Sequence, residues 1–517
     1  MKNHSRLIFL LLALIFSVPA VLGLLHSGFP VTDDGGWMVI RFSAFFQTLR
    51  DGEFPVRFLM RLNNGYGYPV SDFLYPLFMY LSVPIHLIGI NFANTIKVLL
   101  ALCIFSSSLF TFLWLRRIFD NVSSLVGAVF YVFFPYHLFD IYQRGSVGEV
   151  LSLSILPFIL WQIERKSLRW TSLGIALLIT AHNTLAVLFM FIILPYFLLN
   201  AYVSKNVKLE LGFYLKVLLL GFGLSAFFWI PALFDLQYTV FAKTQISDVT
   251  SYFANFNLIG IAATLIILLT VVLIIIRKIE IKKHRLAFVM FVVSIVSIYL
   301  ASPISAFLWK FLPSSFIQFP FRFLSLAIPS TAFLAACIVS VFGQKRKYIL
   351  SLIILVLILI SAFSYLFPKS YQNFPDSYYS TNQDTTTVKN EYMPIWVKEI
   401  PQTMPLAKVK NPGGKEAISL IKSSPNKTEF AISLTQSREI QVNTIYFPGW
   451  EAYVNGEPKE ILFNNSKGLI TLSLDKGVNH VQLFFRETPV RHLADLVSII
   501  SIGYLLIFVL AKKKIKV

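Results

Sequence analysis

Apolar runs of about twenty residues recur along most of this chain, and they constrain its fold more than any other feature. A helix of about 19 residues is long enough to cross roughly 30 Å of hydrocarbon. The mean hydropathy of +0.68 and the 56% share of hydrophobic residues are too high for a soluble globular protein. The chain is therefore predicted to be an α-helical membrane protein that crosses the bilayer many times.

Basic residues lie mainly in short loops between the apolar runs, which is the distribution typical of cytoplasmic loops. Nearly all of the formal net charge of +19 is then explained by membrane orientation. Nucleic acid is therefore not a predicted partner, although a charge of this size would otherwise suggest one. The same pattern predicts a multi-pass protein of the plasma (cytoplasmic) membrane with both termini in the cytoplasm.

About twelve spans are predicted on this basis. The first run could instead be a signal peptide that ends near Pro19 to Gly23, but its length favours an uncleaved span. Segment 73–90 is also apolar, yet Pro76 and Pro84 interrupt it, and a crossing there would place every later basic loop outside. We therefore expect it to be re-entrant or interfacial. The predicted spans are 7–25, 95–115, 124–142, 150–163, 170–181, 185–202, 211–233, 258–276, 286–302, 323–342, 348–367 and 493–511.

The polar stretches between the spans predict two parts outside the membrane. Segment 36–50 has the pattern of an interfacial helix, and 54–76 is an aromatic loop rich in Gly and Pro. From about residue 368 a polar stretch begins whose second half alternates as strands do, with a turn at Asn455-Gly456. The predicted parts are 1–25, the first span; 26–94, an extracytoplasmic loop with interfacial helices; 95–367, a helical core; 368–490, an extracytoplasmic β-sandwich-like domain with strands near 428–434, 439–447 and 469–474; and 491–517, the last span and a basic cytoplasmic tail.

The two cysteines, Cys103 and Cys337, both lie inside apolar runs, so they are predicted to be packed thiols.

Several polar residues fall on the outer side of the predicted topology, at or near the ends of spans. An ionisable group at the centre of a membrane helix costs roughly 2.5 to 3.5 kcal/mol, so their convergence on one side predicts a polar cavity. These residues are Asp33 and Asp34 in the first outer loop, Asp140, Arg144 and Glu149, His182 and Asn183 in a tight turn, and Gln318 and Arg322 before span ten.

Each of these residues also has a purely structural interpretation. One of the two aspartates would serve as the N-cap of the helix that begins near Gly36. Arg144 and Glu149 would form an interfacial ion pair, and His182 would be a hydrogen-bonding residue of its turn. The rings of Tyr66, Tyr68 and Tyr75 would be ordinary aromatics of the membrane interface, or a surface that stacks on sugars or contacts lipid.

Five motifs in a fixed order also carry a family resemblance. Together they resemble the bacterial membrane proteins named for a 6-pyruvoyl-tetrahydropterin synthase-related domain. The tail from Tyr446-Phe447-Pro448-Gly449-Trp450 through Asn455-Gly456 looks like the outer domain of the related YfhO-like proteins. The five motifs are Thr32-Asp33-Asp34-Gly35-Gly36, Gly65-Tyr66-Gly67-Tyr68-Pro69, Arg144-Gly145 with Glu149, His182-Asn183, and Gln318-Phe319-Pro320-Phe321-Arg322.

The resemblance implies a GT-C-type fold, in which an acidic first outer loop faces a polyprenyl-phosphate sugar. The pterin name implies little, because the eight histidines are scattered and offer no zinc site. No cofactor is predicted, and a divalent metal at Asp33 and Asp34 is left open. The expected partners are membrane lipid and a lipid-linked sugar donor, with the acceptor undetermined.

The leading hypothesis is a glycosyltransferase that acts on the extracytoplasmic face. Asp33 or Asp34 would accept the proton of the acceptor hydroxyl, and Arg144 and Arg322 would bind the departing phosphate. The alternatives are a flippase for a lipid-linked glycan and a non-catalytic protein of envelope glycan assembly. The other assigned residues are Glu149 and His182, which would orient these groups, and Asn183, Gln318, Tyr66 and Tyr68, which would contact the substrate.

Overall fold

The computed structural model describes residues 2–244, 248–312 and 314–514, and most of them are helical. The predicted basic tail, Lys512 to Lys516, extends beyond Lys514 and so lies partly outside the described residues. The longer helices are Lys2–Ser17, Gly35–Arg50, Leu77–Leu87, Phe92–Leu115, Asn121–Val132, Val147–Glu164, Leu168–Ala181, Asn183–Val203, Val207–Leu224, Ala226–Asp235, Ile261–Ile275, Arg285–Ala301, Pro303–Lys310, Leu324–Ser340, Gln344–Ala362 and Pro489–Lys514.

Seven of the described helices are long and apolar enough to cross a membrane, and three bent helix pairs raise that number to ten. These ten correspond to ten of the twelve predicted spans. The other two predicted spans coincide with the apolar helices Leu168–Ala181 and Ile261–Ile275, which are shorter than the candidate spans. The pairs bend by 42°, 68° and 81°, and the first two bends fall inside the predicted spans 124–142 and 211–233. Pro135 and Pro303 begin the second helices of two pairs, because proline cannot continue the preceding helical hydrogen bonds.

The first apolar helix packs into the helical core of the described structure. It contacts the helices Phe92–Leu115 and Asn121–Val132, and Ser108 donates a hydrogen bond to the carbonyl of Ala13 at 2.9 Å. The first predicted span is thus part of the helical core in the described structure. Cys103 and Cys337 are both buried free thiols, as predicted.

Segment 73–90 forms a helix from Leu77 to Leu87 that begins directly after Pro76. At 1.5 Å per residue this helix is roughly 16 Å long, which is too short to cross about 30 Å of hydrocarbon. Its length agrees with the prediction that the segment does not span the membrane.

The helix Gly35–Arg50 forms where an interfacial helix was predicted, and a distant part of the chain packs on two of its polar side chains. Ser43 is fully buried and donates to the carbonyl of Tyr379 at 2.6 Å. Gln47 donates to the carbonyl of Ser380 at 3.1 Å. The short helix Asp376–Thr381, far along the chain, therefore covers Ser43 and Gln47, whereas Arg50 at the end of the helix is exposed.

The C-terminal region before the last helix is β-rich and contains the predicted strands. Asn455 and Gly456 both have positive φ angles, +53° and +88°, as the two-residue turn of a hairpin requires. Strands Ile418–Ser424, Lys427–Leu434, Gly477–Phe485, Trp450–Val454 and Glu457–Lys459 form an antiparallel five-stranded sheet in that order, and Val409–Lys410, Arg438–Ile445 and Leu469–Leu474 form a three-stranded one.

The stretch between residue 371 and the first of these sheets is irregular and packs back onto the helical part. Its strand Tyr371–Gln372 pairs with Phe29–Pro30, just ahead of the aspartate pair. Residues 385–392 then pass over the helix Gly35–Arg50, and we call this segment the strap. Arg41 of that helix donates to the carbonyl of Thr386 at 2.5 Å and to its hydroxyl at 3.3 Å.

Candidate functional site

A cavity of about 400 Å³ lies between helix ends of the apolar part and the strap. Helix ends and loops form one side of it, and strap residues form the other. Of the ten residues predicted for the site, six line this cavity: Asp34, Arg144, His182, Asn183, Gln318 and Arg322.

Glu149 lies behind the cavity wall and binds several of the lining side chains. It is fully buried, and its Oε1 atom is 2.9 Å from Nε of Arg322. The same oxygen is 3.6 Å from the Arg144 guanidinium and 3.8 Å from Nε2 of His182, while Tyr136 donates to Oε2 at 2.8 Å. Glu149 therefore joins four segments of chain through one buried carboxylate, which is more than the simple Arg144 pair predicted as an alternative.

Asp34 and Arg144 lie side by side in the lining of the cavity and form an ion pair. Arg144 donates to Oδ2 of Asp34 at 3.2 Å, and the Asp34 amide donates to the carbonyl of Arg144 at 2.8 Å. Asp34 occupies the N-cap position of its helix, but its side chain accepts no capping hydrogen bond. The Gly35 amide instead donates to the hydroxyl of Thr32 at 3.1 Å. The capping interpretation is therefore wrong for Asp34, whose carboxylate is directed to Arg144.

The side chain of Asp33, unlike that of Asp34, lies outside the cavity. Its amide donates to the carbonyl of Gln143 at 2.9 Å, which anchors the backbone, but its side chain is exposed and does not line the cavity. The structure thus separates the two aspartates that the sequence left equivalent.

Gly145 allows the two segments that carry Asp34 and Arg144 to approach each other. Its φ angle is +67°, in the left-handed region that favours glycine. A Cβ atom at this position would lie 2.3 Å from the Thr32 hydroxyl and 2.6 Å from the Gly35 nitrogen. The contact between the two backbones therefore requires glycine here.

His182 has the structural role that was predicted as its alternative. Its Nδ1 atom accepts a hydrogen bond from the Leu185 amide at 3.3 Å and so caps the helix Asn183–Val203. Burial lowers the pKa of His182 to about 3, despite the opposing charge of Glu149, so the ring is neutral and Nε2 carries the proton towards Glu149. Next to it, Asn183 donates to the carbonyl of Phe73 at 3.0 Å.

Arg322 is held by its own loop as well as by Glu149. It donates to the Ile317 carbonyl at 2.9 Å and to Oε1 of Gln318 at 2.8 Å. The guanidinium groups of Arg144 and Arg322 also lie 4.6 and 4.8 Å from the centre of the Phe319 ring. Both arginines are thus paired with carboxylates of the protein, and the buried Nε atom of Arg144 is left without a hydrogen-bond partner among the described residues.

The predicted aromatic surface is wrong for Tyr66 and Tyr68. Their exposed fractions are 5% and 0%, and neither lines the cavity. The Tyr68 hydroxyl binds that of Thr387 at 2.9 Å and accepts from the amide of Tyr392 at 2.9 Å, so it anchors the strap. Tyr75 does line the cavity, with its ring centre 4.6 Å from that of His182.

Two charged side chains that line the cavity, Arg41 and Glu391, were not predicted from the sequence. Arg41 is only 2% exposed, and no carboxylate oxygen of a described residue lies within 4 Å of its guanidinium. It lies seven residues after Asp34, two helical turns on, and this spacing was a signal for it. Glu391 belongs to the strap, and burial raises its pKa to about 7, although the charges of Arg41 and Arg322 lower it.

No group of three or more His, Cys, Asp or Glu side chains in the described parts of the chain is placed to hold a metal ion. The open question of a metal at Asp33 and Asp34 therefore gains no third ligand from these residues.

Comparison with known proteins identifies one matching family and several similar chains. The family model described as "6-pyruvoyl-tetrahydropterin synthase related domain; membrane protein" matches residues 73–367. That match includes Arg144, Glu149, His182 and Arg322, whereas Asp34 and the strap lie outside it. An uncharacterized protein of Lactococcus lactis subsp. cremoris (strain MG1363) is 23% identical over 250 residues, which cover 45% of this chain and 39% of that protein.

Three similar solved structures are all of low sequence identity. The arabinofuranosyltransferase AftD from Mycobacteria is 14% identical, with a TM-score of 0.44, over 73% of this chain and 28% of AftD. The Archaeoglobus fulgidus oligosaccharyltransferase is 13% identical, with a TM-score of 0.48, over 76% of this chain and 62% of that protein. ArnT from Cupriavidus metallidurans, bound to undecaprenyl phosphate, is 15% identical, with a TM-score of 0.41, over 73% of this chain and 68% of ArnT. This chain thus spans less than two thirds of AftD, of the oligosaccharyltransferase and of the Lactococcus protein.

Proposed function

This chain belongs to the family of membrane proteins with a 6-pyruvoyl-tetrahydropterin synthase related domain, and from that premise we propose that it is a GT-C-type glycosyltransferase. It would take a sugar from a polyprenyl-phosphate carrier at the extracytoplasmic face and transfer it to a hydroxyl group. The cavity supports this proposal because it combines a carboxylate with an unpaired buried cation beside apolar helices.

Arg41 is the observation that carries the proposal. A buried guanidinium without a counter-ion costs free energy, and an anionic ligand would recover it. Arg144 and Arg322, the cations assigned from the sequence, are already paired with Asp34 and Glu149. The phosphate of a lipid-linked sugar is therefore assigned to Arg41, and guanidinium binds phosphate oxygens in a bidentate way.

Asp34 is the proposed proton acceptor. Arg144 holds one carboxylate oxygen, and the other accepts no hydrogen bond from a described residue. An acceptor hydroxyl bound there would lose its proton to Asp34 as its oxygen attacks the anomeric carbon. The bond from that carbon to the phosphate oxygen breaks, and its electron pair leaves with the phosphate, which Arg41 stabilises.

The test compares Asp34→Asn and Arg41→Gln with Asp33→Asn as the matched control, at equal abundance in the membrane. Loss of a general base typically lowers a rate by about 100-fold to 10,000-fold. We expect both cavity variants to accumulate a lipid-linked sugar and to lose a specific envelope glycan, while the exposed Asp33 tolerates the change. Mass spectrometry of extracted lipids measures the accumulated donor.

Other outcomes would contradict the proposal. Unchanged lipids and glycans in both cavity variants would remove the catalytic role of Asp34. They would favour a flippase for a lipid-linked glycan or a non-catalytic role in envelope glycan assembly.

A further inference from the structure

A second concave surface lies on the other side of the strap, and we call it the amide groove. Its volume is about 550 Å³, within the usual range of about 300 to 1,000 Å³ for ligand sites. The turn at Asn63 and Asn64, residues 381–385 and residues 400–402 form its walls, together with Asn390 of the strap.

The chemical character of this groove differs sharply from that of the cavity. Its described lining residues include six Asn and Gln side chains and two threonines, but no Lys, Arg or His and no aromatic ring. Asp384 is the single charged residue among them. Such a lining does not suit a phosphate or another anion, because no cation is available to neutralise it.

The amide groups are held in fixed orientations by the protein itself. Asn64 donates through its amide nitrogen to the Pro401 carbonyl at 2.9 Å, and Gln402 donates likewise to Ile400 at 3.2 Å. Each therefore keeps its carbonyl oxygen as an acceptor.

The side-chain amides of Asn382 and Asn390 are held through their oxygen atoms instead. The Asn382 oxygen accepts from the Asp384 amide at 2.9 Å, and the Asn390 oxygen accepts from the Thr385 hydroxyl at 2.6 Å. These two side chains keep their amide nitrogens as donors. The groove thus offers oriented acceptors and oriented donors, which is the pairing that a hydroxyl group requires.

We propose that the amide groove binds a neutral, hydroxyl-rich saccharide chain. Each sugar hydroxyl both donates and accepts a hydrogen bond, so it satisfies the free acceptors of one wall and the free donors of the other. The fixed amides lower the ordering cost of binding. An extended peptide is less well matched, because the described walls contain no strand edge to which it could add.

The strap places this groove next to the cavity. Thr385 and Asn390 line the groove, whereas Thr386, Lys389 and Glu391 line the cavity. One stretch of backbone is therefore the shared wall of both sites. Saccharide binding in the groove does not depend on glycosyl transfer, so it is tested separately from the proposed function.

The experiment measures binding of three neutral probes, maltotetraose, cellotetraose and chitotetraose, to the full chain in lipid nanodiscs. Tetragalacturonate is the anionic control probe. We expect saturation-transfer NMR to detect at least one neutral probe and not the anionic one. Asn382→Ala removes a donor and Gln402→Ala an acceptor, and each change should weaken binding by about fivefold to tenfold, the effect of one lost hydrogen bond.

Two variants make the result specific. Asp34→Asn alters the cavity at a residue whose side-chain hydrogen bond goes to Arg144 and not to the strap, so it should leave saccharide binding unchanged. The bulky substitution Asn382→Trp should abolish binding, and an unchanged melting temperature shows that the variant is folded. Binding of no neutral probe, equal binding of tetragalacturonate, or binding that survives Asn382→Trp in a folded protein would each overturn the proposal.

Discussion

Two kinds of buried charge meet at the cavity, and they differ in what the protein supplies to neutralise them. Glu149 is neutralised by Arg322 at 2.9 Å, so this pair is complete without a ligand. Arg41 and Glu391 both line the cavity, yet they are more than 4 Å apart and form no ion pair. Under the proposed function, the phosphate of the donor would supply the counter-ion that Arg41 does not find among the described carboxylates.

The raised pKa of Glu391 predicts that the stability of the folded chain falls as the pH rises. Burial raises its pKa from 4.5 to about 7, so the folded chain binds this proton more tightly than the unfolded chain does. Its protonated form contributes stability that is complete below about pH 4.5 and is lost as the pH rises through 7. We expect Glu391→Gln to gain melting temperature relative to the wild type between pH 5 and pH 8.

The measurement is thermal unfolding of both proteins in the same detergent at several pH values. Glu439→Gln, an exposed change in the β-rich region, is the control and should follow the wild type throughout. Parallel curves for the wild type and Glu391→Gln would show that this carboxyl titrates normally.

At the scale of elements, the cavity depends on close contacts between segments that are distant in sequence. The turn at Gly145 is pressed against the start of the helix Gly35–Arg50, and the strap crosses the same helix two turns later. Thr386 has a φ angle of +60°, which is rare for a β-branched residue and costs roughly 1 to 3 kcal/mol. The contacts of Arg41 with Thr386 hold the strap in this strained conformation.

Gly145→Ala tests the contact between the turn and the helix. A methyl group there meets backbone atoms of Gly35, so the two segments must move apart and Asp34 loses its position opposite Arg144. Gly456→Ala is the matched control, because its φ is +88° but nothing lies within 4 Å of a Cβ atom. We expect both variants to lose about 1 to 3 kcal/mol of stability.

The two glycine variants should differ in their effect on the position of Asp34 in the cavity. Gly145→Ala should accumulate the lipid-linked donor as Asp34→Asn does, while Gly456→Ala should not. Lipid extracts and melting curves of the same preparations provide both measurements. Equal donor levels in the two variants would show that the turn does not position Asp34.

The site residues that were predicted correctly can each be recognised from the sequence immediately around them. Arg144, Glu149 and Arg322 are charged residues at the borders of apolar runs, where burial is costly, so their convergence was predictable. The strap has no such signal, because Thr386 reaches Arg41 only through a contact that spans 345 positions of the chain. The burial of Tyr68 was missed for the same reason: its partners Thr387 and Tyr392 come from the distant strap.

At the scale of the whole molecule, a second network of buried charges ties the β-rich region to the helices. Arg491, at the start of the last helix, is fully buried, and its guanidinium is 2.9 Å from Asp235 and 3.4 Å from Asp72. The same group lies over the rings of Phe447 and Phe485, at 5.5 and 5.4 Å from their centres. One side chain of the last helix thus contacts a bent helix, the first outer loop and the sheet region.

Arg491→Gln should therefore loosen the attachment of the β-rich region. The change leaves the carboxylate of Asp235 buried without its cation, whereas Asp72 keeps Arg57 at 3.5 Å, and breaking a buried pair typically costs about 3 to 5 kcal/mol. Lys283→Gln, in a loop between two helices, breaks an exposed pair with Glu280 and should cost about 0 to 1 kcal/mol. Hydrogen exchange in the strands Trp450–Val454 and Gly477–Phe485 should become faster in the first variant alone. Equal exchange in both variants would mean that the sheets are attached mainly by their apolar contacts, and that the charge network adds little to the union of the two parts.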